Sequence, residues 1–71
     1  MTPELLTEVG EALYGNQWRS ALAADLKVSE RTMRRWANGI FAMPPTLREE
    51  LLDVVREHGA ALAVIQRKLN G

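Results

Sequence analysis

The stretch from Gln17 to Gly39, QWRSALAADLKVSERTMRRWANG, constrains the fold more than any other part of the chain. It reads as two short helical segments with a joint at Lys27 and Val28, too brief for anything but a tight turn. In the first segment Leu22, Ala23 and Leu26 recur at helical spacing, which makes one face apolar and leaves Arg19, Ser20 and Asp25 looking away from it. In the second, Ser29 is a favourable N-cap, Glu30 complements the positive helix start, and Val28, Met33 and Trp36 are the residues left to bury. Gly39 is placed to end it.

Arg31, Arg34 and Arg35 are spaced three and four apart, so they share the face opposite Met33 and Trp36. The second segment therefore presents a basic, solvent-facing ridge. Such a ridge suits the DNA major groove, where a guanidinium meets guanine N7 and O6 with two hydrogen bonds or neutralises phosphates beside the groove. Asn16, Gln17 and Arg19 fall at the start of the first segment, where free backbone N–H groups and the helix dipole favour a phosphate, and they are expected to contact the backbone.

The run ALAADLKVSERTMRRW resembles the helix-turn-helix of the phage repressor and Cro-like family of small prokaryotic regulators, in its small Ala23, its Leu26 and Val28 around the turn, and its apolar Met33 and Trp36. The match covers about a third of the chain. The family usually has Gly where Lys27 stands and a branched aliphatic where Met33 stands, and a left-handed backbone is expected at Lys27. The resemblance implies that Ser29, Glu30, Arg31, Arg34 and Arg35 face base edges, with Lys27 and Asn38 near phosphates. Glu30 is either an acceptor for cytosine N4 or an i,i+4 partner that orients Arg34.

Charge distribution agrees with a DNA-facing middle although the chain as a whole has nine bases, nine acids and no net charge. Residues 1–16 hold three glutamates and no base, residues 17–39 hold five bases against two acids, and the remainder is balanced. Seventy-one residues make one small domain, and the lack of cysteine excludes disulfides and suits a reducing cytoplasm. No segment reads as a signal peptide or a membrane span, so a cytoplasmic protein is expected.

Elsewhere, Thr2 and Pro3 open a helix that carries Leu5, Leu6, Val9, Ala12 and Leu13 on one stripe to about Tyr14; Gly15 stops it and Asn16 can cap the next. Trp18 and Trp36 read as core residues. IFAMPP, Ile40 to Pro45, reads as a loop whose Ile40, Phe41 and Met43 close the core, and Thr46 with Glu49 as a capping box. Leu51, Val55, His58, Leu62, Ile65 and Leu69 then follow steps of four and three, the spacing of a packing seam, which fits either one long helix that tolerates Gly59 at about 1 kcal/mol or two helices broken there; the break is favoured slightly, with a final helix from about Ala60 to Leu69. That apolar surface exceeds what one small core needs, so Leu51, Val55, Leu62, Ile65 and Leu69 are assigned to a homodimer interface. His58 is the only histidine, and Glu49, Asp53 and Glu57 read as a solvated face, so no metal is expected.

The expected architecture is a single all-α domain over 1–71, a compact bundle of four to five helices, with its recognition unit at 17–39 and packing or dimerisation helices at 46–70. The expected function is a sequence-specific transcriptional regulator, a dimeric repressor or autorepressor on a two-part operator of double-stranded DNA, read by the segment 29–38. Anti-CRISPR-associated autorepressors and the antitoxins of toxin–antitoxin pairs resemble it in kind. The alternative is an adaptor or antitoxin whose apolar loop or last helix binds a partner protein. No nucleophile–base pair, phosphate-cradling glycine loop or metal cluster points to an enzyme, and no cofactor is expected.

Overall fold

A computed structural model describes residues 1–71, and the chain is entirely helical, with no strand. Helix α1 covers Pro3–Tyr14, a 3-10 turn covers Gly15–Gln17, α2 covers Trp18–Leu26, α3 covers Glu30–Ala37 and α4 covers Leu47–Asn70. Local chemistry sets most of these limits. The Thr2 hydroxyl accepts the Leu5 N–H at 3.1 Å, and Pro3 occupies the first helical position, where its missing N–H costs nothing. Helix α3 ends at a left-handed Gly39 (φ 73°), whose N–H donates to Trp36 O while that of Ile40 donates to Arg35 O. These two bonds close a Schellman motif.

Nine apolar side chains form the core, and α1, α2, α3 and α4 all contribute: Leu6 from α1, Trp18, Leu22 and Ala23 from α2, Met33 and Trp36 from α3, and Leu47, Leu51 and Val54 from α4. Both tryptophans are buried, in accord with their helical spacing beside Leu22 and Met33. Helix α1 meets the Trp18 side chain at Gly10. A Cβ built there would lie 2.1 Å from Cε3 of Trp18, so the indole rests directly on α1 backbone. Tyr14 ties a second point: its hydroxyl donates to the Asp25 carboxylate of α2, and its ring meets His58 of α4 edge-on, centroids 5.2 Å apart. Burial first, then the hydrogen bond and charge of Asp25, push the Tyr14 hydroxyl above the usual tyrosine range.

The structure corrects several expectations. Gly59 does not break the last helix: α4 runs unbroken for 24 residues, about 36 Å, and Gly59 is not among the positive-φ glycines. Asn16 does not cap α2, because the chain passes from α1 into α2 through the 3-10 turn, and Gln17 stands at the cap position without a side-chain bond. Thr46 has a helical backbone and caps no N–H; its hydroxyl instead donates to Glu50 Oε1 at 3.4 Å. Of the loop residues only Met43 packs against the core, while Ile40 and Phe41 are exposed, Phe41 lying under the Arg35 guanidinium at 4.8 Å. Leu51 is buried in the chain's own core and so does not belong to a free interface.

Only the first half of α4 packs on the body. His58 is half-buried, with its Nδ1–H donating to Val54 O at 3.0 Å, and every residue from Gly59 onward is exposed. The molecule is accordingly elongated, 47 Å by 23 Å by 20 Å.

Two substitutions test this packing. Gly10→Ala is expected to destabilise the fold by about 1–3 kcal/mol, because the methyl displaces Trp18 from a filled core, and urea unfolding would show a lower midpoint. Gly59→Ala is expected to add helicity in circular dichroism and up to about 1 kcal/mol of local helix stability, since nothing lies within 4 Å of the new methyl; a loss of helicity would restore the break.

Candidate nucleic-acid interface

The joint between α2 and α3 is fixed by backbone bonds. Lys27 adopts the left-handed conformation (φ 59°, ψ 38°), its N–H donates to Ala24 O, and Val28 N–H donates to Ala23 O at 3.0 Å. This is again a Schellman closure, here with a residue that has a Cβ in the strained position. Ser29 then caps α3, accepting the Thr32 N–H at 3.1 Å and sharing a hydroxyl–hydroxyl bond of 2.9 Å with Thr32. Its side chain is committed to the helix start and is less free to meet a base than the sequence suggests.

Burial of Met33 and Trp36 turns the opposite side of α3 outward, and there the three arginines meet three different environments. Arg34 pairs with Glu30 at 3.0 Å, both side chains about half exposed or more. Arg35 is half-buried and stacks on Phe41. Arg31 is exposed and makes no ion pair. An exposed i,i+4 pair such as Glu30–Arg34 contributes only about 0.3–0.5 kcal/mol to the helix, so Arg34 can exchange its partner at little cost.

The outward face of α3 and the start of α2 enclose a polar cleft of about 360 Å³ lined by Asn16, Gln17, Arg19, Ser20, Glu30, Arg34 and Asn38, with no hydrophobic residue. Arg19 lies over the Trp18 ring at 5.1 Å from its centroid, which positions its charge beside the cleft. Six of the residues expected to touch DNA thus converge: Asn16, Gln17, Arg19 and Asn38 among those assigned to phosphates, Glu30 and Arg34 among those assigned to bases. Lys27, Ser29, Arg31 and Arg35 do not line it. Ser20 lines it without being one of the contacts expected from the sequence. Its signal was available, one turn after Asn16 and on the outward side of α2 beside Arg19, but a lone serine in a helix carries no chemistry that singles it out.

Elsewhere the surface offers less. Asp25, Glu50, Asp53 and Glu57 line an acidic hollow at the α2–α4 crossing, and Asp53 is 3.9 Å from Arg56. No group of acidic or histidine side chains is arranged to hold a metal ion, and no helix is long and apolar enough to cross a membrane. Compared with protein-family models, curated proteins and solved structures, the chain matches none.

The strained joint gives a test of its own. Lys27→Gly is expected to raise the unfolding free energy by about 1 kcal/mol, because glycine enters the left-handed region without steric cost. An unchanged or lower urea midpoint would mean that the Lys27 side chain supplies a compensating contact.

Proposed function

We propose that the chain binds double-stranded DNA sequence-specifically and acts as a transcriptional regulator, with α2 and α3 as a helix-turn-helix and α3 entering the major groove. The observation that carries this reading is the polar cleft, where side chains at the start of α2 stand beside the outward face of α3. A helix N-terminus suits a phosphate, and an arginine with a neighbouring carboxylate suits a base-pair edge, so one surface offers both kinds of contact that duplex recognition requires. The concentration of positive charge in residues 17–39 supports the same surface over the acidic α1.

In this reading Asn16, Gln17, Arg19 and Asn38 set the register on the sugar–phosphate backbone, Lys27 adds a phosphate contact beyond the cleft, and Arg31 and Arg34 read bases. Glu30 both orients Arg34 and offers an acceptor to a cytosine amino group. Arg35, held on Phe41, is placed for a phosphate more than for a base. Occupation of a promoter is the mechanism that such a surface performs without further parts, and a two-part operator would be read by two copies with α3 in successive major grooves about 34 Å apart.

Selection from a randomised duplex pool, followed by anisotropy titration of the enriched sequence at several salt concentrations, tests the proposal. The expected result is a binding constant at least about a thousandfold tighter for the enriched site than for random duplex, with a negative salt slope. Arg34→Ala should cost about 1–3 kcal/mol on the selected site and relax its preference at one position, while Arg19→Ala should weaken all duplexes alike and lower the salt slope by about 1. Failure to enrich any sequence, with folded protein, would turn the reading to an adaptor that uses its exposed apolar surfaces on a partner protein.

A further inference from the structure

Six of the nine large hydrophobic side chains left exposed lie on α4: Leu52, Val55, Leu62, Val64, Ile65 and Leu69. Leu62, Ile65 and Leu69 continue, at steps of three and four, the same face that Leu47, Leu51, Val54 and His58 press against the body. The stripe therefore runs past the end of its own core, and Leu62 and Leu69 remain 66% and 82% exposed. Beside it, where α1 meets α4, a mainly apolar groove lined by six hydrophobic residues, Leu52 and Val55 among them, and by Arg48 opens at the foot of the overhang.

We propose that two copies of this chain pair through the overhanging halves of α4, antiparallel, with Leu62 of one copy packed against Ile65 of the other. Length and charge both point to this occupant. The overhang from Gly59 to Asn70 is about 18 Å long, so two of them overlap fully and stop where each meets the other's body. Leu69 of one copy then reaches the level of His58 of the other, beside the groove at Val55. Charge along α4 is uneven: the first half holds Glu49, Glu50, Asp53 and Glu57 against Arg48 and Arg56, and the overhang holds only the bases Arg67 and Lys68. Antiparallel pairing brings each basic end to the last acid of the other copy's first half, with Lys68 near Glu57, whereas parallel pairing would gather both basic ends together.

The inference rests on the regulator reading for its purpose, since a two-part operator needs two copies, but its test uses no DNA. A monomeric mass would sink the pairing and leave half-site binding standing, whereas failure to enrich DNA would sink the regulator reading and leave a dimer standing.

The experiment is sedimentation equilibrium of the full chain at tens of micromolar, followed by cysteine cross-linking, which is clean because the chain has no cysteine of its own. The expected mass is twice 8.0 kDa, falling to 8.0 kDa in Leu62→Glu with the core still folded. Mixed Leu62→Cys and Ile65→Cys chains should form a disulfide, while Leu69→Cys alone should not, because the two positions stand about 16 Å apart along the axis. Glu57→Lys should weaken the dimer roughly fivefold at low salt, and adding Lys68→Glu should restore it. A monomeric mass, ready self-linking of Leu69→Cys, or no rescue by the paired reversal would each overturn the proposal.

Discussion

The contact of Trp18 with the bare backbone of Gly10 is the constraint on which the arrangement depends. It brings α1 and α2 closer than any side chain at position 10 would allow, and it does so at the first residue of α2. Fixing that residue fixes the direction in which Asn16, Gln17 and Arg19 leave the body. One and two turns further along, Leu22, Ala23 and Leu26 join the same core as Met33 and Trp36 of α3. The polar cleft is thus a by-product of an apolar fit: its two walls are the outer sides of the helices whose inner sides share the tryptophans.

How much of this was legible in the sequence depends on the range of the interaction involved. The opening of α1 by Thr2 and Pro3, the left-handed backbone at Lys27 and the cap at Ser29 follow from neighbours within four residues, and a linear reading can weigh them. The inward face of α2 and α3 followed from period alone. At Gly59 the pattern fits a break and a continuous helix almost equally, because a glycine raises the cost of a helix by only about 1 kcal/mol, which an otherwise well-patterned α4 absorbs. Hydrophobicity alone puts Ile40 and Phe41 in the core, yet after the Schellman turn at Gly39 both are exposed, a matter of backbone direction that composition does not encode. Leu51 shared its seam with Leu62 and Leu69, and nothing in the spacing marks where the body ends and the seam goes on alone.

The arginines of α3 carry a similar lesson about the candidate site. Their spacing gives one ridge, but the structure gives one charge paired with Glu30, one stacked on Phe41 and one unpaired. An aromatic ring under a guanidinium limits its motion, while a carboxylate beside one sets its orientation without removing its hydrogen-bonding capacity, since each oxygen and each N–H has further directions to offer. Equal residues at helical intervals thus become unequal groups through one loop residue and one residue at the helix start. Zero net charge hides this, because the acids that balance the sum lie chiefly on α1 and α4.

Helix α4 holds two kinds of order in one continuous hydrogen-bonded run. Its first half is locked by Leu47, Leu51 and Val54, so opening an amide there requires the core to come apart. Its second half is exposed from Gly59 onward, and a dozen residues of isolated helix are marginal in water. Hydrogen-exchange protection should therefore fall steeply along the helix, from the global unfolding free energy before His58 to that of a fraying end beyond it in any molecule whose overhang lies uncovered. The early turns are ordered by the domain; the late turns take their order from whatever surrounds them.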